Sequence, residues 1–233
     1  MTARAEHVVA LRGEFSAVGV REAACAPIVG VSAVALLDRI ATVHDGDIVL
    51  VNAAAGGMGS VLARLARHLG AAQVIGTVGS DAKIPVARGF GYDHVVLRDQ
   101  LHERLPAIAP DGIDVALDPV GGTAFRQGLE ALRPLGRLIR YGNASGAEDE
   151  PLATLGLVYA NRTIGGFSLR GLADTRPDAY RALLGQALEL IAAGVIPIEI
   201  SGEYTLAQAS DVHRRLEAGQ TTGKLVIAPS RAA

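Results

Sequence analysis

Six residues, Ala54-Ala55-Gly56-Gly57-Met58-Gly59, have the types and spacing of a loop that grips phosphate. They fit the pattern G-x-G-x-x-G with alanine in place of the first glycine. Such a loop works because glycine lets main-chain amides reach a diphosphate with no side chain in the way. The helix that follows adds free N–H groups and the positive end of its dipole. Gly56 would admit the diphosphate, and Gly59 would let the helix pack against the preceding strand. A tight turn with no ligand also satisfies the pattern, so its flanks decide its weight. "DIVLVNA" before it is an apolar run of strand type, and in "SVLARLARHLG" after it Val61, Leu62, Leu65, Ala66 and Leu69 recur at helical spacing.

The end of the next strand selects the occupant. A site for NAD carries an acidic side chain there, about 20 residues past the loop, to accept from the ribose hydroxyls. This chain has "GTVGSDAK". Gly79 and Ser80 leave room for a 2′-phosphate, Ser80 can donate to it, and Lys83 can neutralise it. Asp81 speaks for NAD, but it is better placed to cap the following helix. NADPH is therefore expected in preference to NADH.

These residues need a scaffold, and the alternation along the chain supplies one. Strands are expected at "DIVLVNA", "AQVIGTV", "HVVL", "GIDVALD", "GRLIRYG" and "NRTIGGFSL". The first helix ends at Gly70. Further helices are expected at "SDAKIPVARGFG" (N-capped by Ser80 or Asp81), "GGTAFRQGLEAL" and "TRPDAYRALLGQALELIAAG", the last with Pro177 in its first turn. The end of the chain reads as strand "IEISGEYTL", helix "AQASDVHRRLEAG", strand "KLVIA" and a frayed tail "PSRAA". Such β-α alternation with short links predicts an α/β doubly wound parallel sheet with right-handed crossovers. Residues 1–46 break the pattern: "EHVVALRG" reads as a small strand and "VREAACAPIVGVSAVALLDRI" as one or two helices.

Composition excludes several alternatives. With 22 Lys and Arg against 24 Asp and Glu, the 233-residue chain has a net charge of −2, and no basic stripe offers itself to nucleic acid. The one cysteine, Cys25, excludes an internal disulfide framework and a Cys-rich zinc lobe, and its apolar neighbours mark it as a buried small residue. Six histidines (His7, His44, His68, His94, His102 and His213) show no metal-ligand spacing, so no metal is expected. "GFSLRG" has Arg170 where a nucleophile elbow needs its second glycine. No apolar run approaches the roughly 20 residues of a membrane helix, and no signal peptide opens the chain. A soluble, cytoplasmic protein without a membrane partner is expected.

The segments "LVNAAAGGMGSVLARLARHLGA", "GTVGSDAK", "DVALDPVGG", "LRPLGRLIRYGNASG" and "GQTTGKLVIAP" together resemble the zinc-independent quinone oxidoreductase branch of the medium-chain dehydrogenase/reductase superfamily. Upstream, Glu22-Ala23-Ala24, Pro27, Gly30, Ser32 and Ala33 continue the likeness, which spans about Glu6 to Pro229. It implies a Rossmann domain with strand order 3-2-1-4-5-6, a separate GroES-like substrate domain, and a homodimer formed through the sheet edge, here the strand at 163–169. It places a pyrophosphate on Gly56, Gly57, Met58 and Gly59 and a 2′-phosphate on Ser80 and Lys83. Tyr141, Gly142 and Asn143 would lie beside the nicotinamide half, Phe167, Ser168 and Leu169 would close that end, and Ser32 would keep the hydroxyl of a common threonine near the nicotinamide.

Three departures stand out. Leu97-Arg98 occupy a place where a tyrosine frequently contacts the adenosine phosphate, and Arg98 could serve as the phosphate partner instead. Pro119 replaces a frequent small hydroxyl residue. Most of the substrate domain is absent upstream of "RAEHVVALRGEF", leaving a remnant at 1–40, the dinucleotide-binding domain at 41–196 and a C-terminal segment at 197–233 that returns to the remnant. The expected function is NADPH-dependent reduction of a quinone, enone or other electrophilic small molecule. A non-redox biosynthetic (tailoring or cyclisation) role, a non-catalytic nucleotide-binding protein and a fragment of a longer reading frame are the alternatives. Asp118, ending the fourth strand, either caps the next helix or faces the ribose. No catalytic proton donor can be assigned.

Overall fold

The computed structural model describes residues 7–148 and 151–228. Within it the apolar runs form six strands: β1 (Ile48–Val51), β2 (Gln73–Val78), β3 (His94–Leu97), β4 (Ile113–Asp118), β5 (Leu132–Arg140) and β6 (Thr163–Gly166). All are parallel, in the order β3-β2-β1-β4-β5-β6. This is the expected doubly wound order.

The strands are apolar throughout because both faces are covered. Side chains alternate between two cores. Val49, Val51, Val115, Leu117 and Ile139 enter one, with α1 (Val20–Ile40), α2 (Gly57–His68) and α8 (Pro177–Ala192). Leu50, Ile75, Ala116 and Leu138 enter the other, with α4 (Leu101–Ile108) and α5 (Gly122–Ala131). The remaining helices are α3 (Ile84–Gly89), α6 (Thr154–Ala160), α7 (Leu169–Thr175) and α9 (Ala209–Glu217). Strands β7 (Ile200–Tyr204) and β8 (Lys224–Ile227) form a separate two-stranded parallel sheet.

The structure corrects several expectations. "EHVVALRG" forms no strand among the described residues 7–13, where no neighbouring strand pairs with it. The region 20–40 is one 21-residue helix, long and apolar enough by length and composition to cross a membrane, contrary to the sequence reading. Its apolarity is directed into the protein, since 61% of its 18-residue apolar stretch is buried. Two segments, Ala26–Gly30 and Ala35–Ile40, are wound as π-helix. At Gly30 α1 presses on α8 so closely that a Cβ there would stand 2.9 Å from that of Ala187.

The sixth strand stops at Gly166 rather than reaching Leu169, because Ser168 accepts the Gly171 N–H at 3.1 Å and starts α7. Helices α4, α6 and α7 are short, and Pro106 interrupts the first, so their periodicity did not register in the sequence. Ser80 takes the N-cap position of the turn Asp81–Lys83, but no side chain caps it. The tail "PSRAA" lies outside the described residues.

Candidate cofactor site

Because every strand of the large sheet runs the same way, the segments following β1 to β6 all emerge along its carboxyl edge, where open α/β sheets bind ligands. The expected site residues fall along this edge in spatial order. Arg98, Ser80 and Lys83 follow β3 and β2, the glycine loop follows β1, Asp118 ends β4, Tyr141–Asn143 follow β5 and Phe167–Leu169 follow β6.

The glycine loop has the shape its residue types imply. Gly56 is extended at the N-cap of α2, and no side chain caps the helix, so its first-turn amides remain for a ligand. Gly59 sits so close to the end of β1 that a Cβ would lie 2.1 Å from the Ala54 carbonyl oxygen. A Cβ at Gly57 would meet the side chain of Lys224 at 2.4 Å. The loop is tied to the C-terminal segment by a bridge between Gly56 and Gly223 and by the Gly223 N–H donating to Ala55 O at 2.9 Å.

Beneath the loop lies a buried polar triad that composition gave no hint of. Thr77 Oγ1 donates to Asn52 Oδ1 at 2.6 Å, and Asn52 Nδ2 donates to Asp118 Oδ1 at 3.0 Å. Asp118 also accepts the N–H groups of Val120 (3.1 Å) and Gly121 (2.8 Å). Asp118 is fully buried, so it is the cap of the turn leading to α5. The only trace of the triad in the sequence is a polar residue near the end of each of three apolar runs, "LVN", "GTV" and "ALD".

At the β2–β3 corner two cations converge. Arg98 extends over Gly79, its Nη2 lying 3.8 Å from where a Gly79 Cβ would be, and its Nε is buried without a hydrogen-bond partner. Lys83 Nζ donates to Gly219 O at 2.6 Å. Burial, and then the Arg98 charge, lower the Lys83 pKa. Ser80 is exposed beside them. A small, partly buried corner with two cations and an unpartnered guanidinium nitrogen suits a dianion.

At the other end the picture is mixed. A side chain at Gly142 would stand 2.9 Å from the Pro119 carbonyl, so the ends of β4 and β5 are in close contact. The Tyr141 hydroxyl is enclosed without a partner, and burial, followed by the Asp118 charge, drives its pKa far up. It keeps its proton and faces inward. Asn143 is exposed and its Nδ2 donates to Ala147 O at 3.1 Å. Phe167 and Ser168 line an apolar cavity of about 560 Å³ with Ile40, Leu172 and Leu183, and the Ser168 oxygen is occupied in capping α7. Ser32 is buried in α1, as is Cys25.

Residues 57–188, more than half of the chain, match the family model described as zinc-binding dehydrogenase. The chain belongs to this family. The 2-haloacrylate reductase of a Burkholderia species is 32% identical to it over 213 residues, 86% of this chain and 61% of that protein. A quinone oxidoreductase of Pseudomonas aeruginosa is 33% identical over 218 residues, 89% of this chain and 64% of that protein. Among solved structures, the Escherichia coli quinone oxidoreductase complexed with NADPH superposes with a TM-score of 0.81 at 29% identity, covering 92% of this chain and 67% of that one. The chain thus spans under two thirds of the length of these curated relatives. The resemblance to the quinone oxidoreductases of the medium-chain dehydrogenase/reductase superfamily is borne out. The family's description mentions zinc, but among the described residues no group of three or more His, Cys, Asp or Glu side chains is placed to hold a metal ion.

Proposed function

We propose that the chain binds NADPH along the carboxyl edge of the sheet and serves the reduction of a quinone, enone or similar electrophilic small molecule. The observation that carries the reading is the pairing of an uncapped glycine loop with a two-cation corner one strand away. Relatives named quinone oxidoreductase and 2-haloacrylate reductase, and a neighbour crystallised with NADPH, support it.

When bound, NADPH supplies a hydride to the electrophilic carbon. The amides of Gly57, Met58 and Gly59 hold the diphosphate against the dipole of α2. Ser80, Lys83 and Arg98 hold the 2′-phosphate, Arg98 standing in for the frequent tyrosine of the family. Tyr141, Gly142 and Asn143 orient the nicotinamide half, and Phe167, Leu169 and the buried Ser32 keep water from that end. Tyr141 is not the proton donor, because its hydroxyl faces inward, and water or a distant group protonates the product. The protein works without zinc, as a cytoplasmic homodimer through β6 at the sheet edge. Supporting this pairing, β6 is the last strand of its sheet and among the described residues pairs only with β5, and a sheet edge of this kind invites a partner strand.

The test is oxidation of NADPH by the purified protein with a panel of quinones and enones. Acceptor-dependent loss of NADPH is expected, and no turnover with any acceptor would defeat the reductase reading. Arg98→Met should weaken NADPH binding by roughly tenfold while leaving NADH binding within about twofold, as expected for loss of one charge-assisted contact at a partly exposed site. Fluorescence titration with both cofactors reads this. An equal loss for both would show that Arg98 does not face the 2′-phosphate.

A further inference from the structure

Helix α2 carries the glycine loop at its start, and one short connection, residues 90–93 between α3 and β3, holds that helix at both ends. In the last turn of α2, Arg67 Nε donates to Gly91 O at 3.0 Å, and the guanidinium pairs with Asp93. In the first turn, the Tyr92 hydroxyl donates to Gly59 O at 2.8 Å. The connection is itself tied to the sheet, since Asp93 Oδ2 accepts the Val74 N–H of β2 at 2.7 Å.

Tyr92 is buried, and its ring fills the space beside Gly76 of β2. A Cβ built on that glycine would stand 2.9 Å from Tyr92 Cδ1 and 2.6 Å from the Ala54 Cβ. Ring, strand and loop are thus packed in one column. Burial, followed by the nearby Tyr141, holds the Tyr92 pKa well above its ordinary value, so the hydroxyl remains a donor. A buried tyrosine hydroxyl needs a partner, and this one takes a main-chain oxygen in the first turn of α2. No side chain caps that turn. Ser60 Oγ, donating to Gly57 O at 3.0 Å, restrains it from within, and Tyr92 restrains it from outside.

We propose that Tyr92 is a positioning residue for the dinucleotide, which sets the first turn of α2 in the orientation that receives the diphosphate. The inference rests on reading the glycine loop as a dinucleotide site. Helix ends fray unless something holds them. A turn already fixed in its bound orientation needs no ordering when the ligand arrives, and that saving appears as affinity. Arg67 holds the other end of α2 and does not set those amides. The two ties therefore separate: losing the first changes binding, and losing the second changes stability alone.

The experiment compares Tyr92→Phe, which keeps the ring and removes the hydroxyl, with Arg67→Ala, in thermal melts and in fluorescence titrations with NADPH and with NADH. Tyr92→Phe should weaken both cofactors by roughly three- to tenfold, the worth of one hydrogen bond, and leave their affinity ratio unchanged. Arg67→Ala should melt lower than the wild type while both affinities stay within about twofold. Wild-type affinity in Tyr92→Phe, whatever its melting temperature, would make Tyr92 a packing residue and overturn the proposal while the dinucleotide reading stood. A loss confined to NADPH, or an equal loss in Arg67→Ala, would overturn it in the same way. No binding of either cofactor by the wild-type protein would overturn both. Should Tyr92→Phe fail to fold, amide hydrogen exchange of the wild-type protein decides. Saturating NADH should slow exchange in the first turn of α2 and, together with it, at Gly91 and Asp93, whose N–H groups donate to Arg88 O and Val74 O. Protection of α2 with unchanged exchange at residues 90–93 would contradict the coupling.

Discussion

Replacing Gly59 by alanine should remove cofactor binding and lower stability together. The added Cβ would sit 2.1 Å from the Ala54 oxygen and 2.5 Å from its carbonyl carbon, both main-chain atoms that no rotamer change can clear. Either the start of α2 or the end of β1 must move. Moving α2 withdraws the amides that face the diphosphate, and losing two such charge-assisted bonds weakens binding by roughly a hundredfold or more. Overpacking at a site of this kind costs about 1–3 kcal/mol. Calorimetric titration with NADPH and a thermal melt read the two effects. Gly56→Ala is the control: its Cβ would meet only Ala53 O, at 3.3 Å, so it should melt close to wild type.

Replacing Asp118 by alanine should be the most destabilising single polar change at the site. Its carboxylate accepts from Asn52 Nδ2 and from the N–H groups of Val120 and Gly121, and it is fully buried. Alanine leaves the Val120 and Gly121 N–H groups without that partner and Asn52 Nδ2 with only a long bond to Ala124 O at 3.4 Å, a loss of about 3–5 kcal/mol. Because Asn52 and Thr77 belong to the same chain of hydrogen bonds, Thr77→Val in addition should cost less than it does alone. Urea unfolding of the two single variants and the double variant measures this coupling. Strict additivity would mean that the three residues do not act as one network.

The parts of the fold that could be read from the sequence are those governed by short-range periodicity. Runs such as "DIVLV" and "GIDVALD" are too apolar and too short for anything but strands buried on both faces, and Gly70, with φ +102°, ends α2 where the sequence places its stop. The glycine loop was legible for the same reason, because its geometry is written in consecutive residues. What escaped depends on contacts between distant segments. The strand expected at "EHVVALRG" needs a neighbour, and apolar alternation alone does not supply one.

Helix α1 read as one or two helices, and the contact with Ala187 that makes Gly30 necessary within a single helix is invisible in the sequence. The cap that Ser168 provides for α7, accepting the Gly171 N–H, was not read from the sequence. Lys224 lies 167 positions after Gly57, and only the closure of β8 against the loop brings it there. The triad of Asn52, Thr77 and Asp118 was invisible for the same reason, each member standing alone at the end of its own strand.

The central claim is that the loop at Gly56–Gly59 and the corner at Ser80, Lys83 and Arg98 together hold the phosphates of NADPH. The most direct measurement is isothermal titration calorimetry of the purified chain with NADPH and, separately, with NADH. The expected result is binding of both, with NADPH tighter by at least roughly tenfold, the contribution of one well-placed charge pair on the 2′-phosphate. A titration with NADPH that releases or absorbs no heat at any temperature tried, with displacement of a fluorescent dinucleotide analogue equally silent, would contradict it.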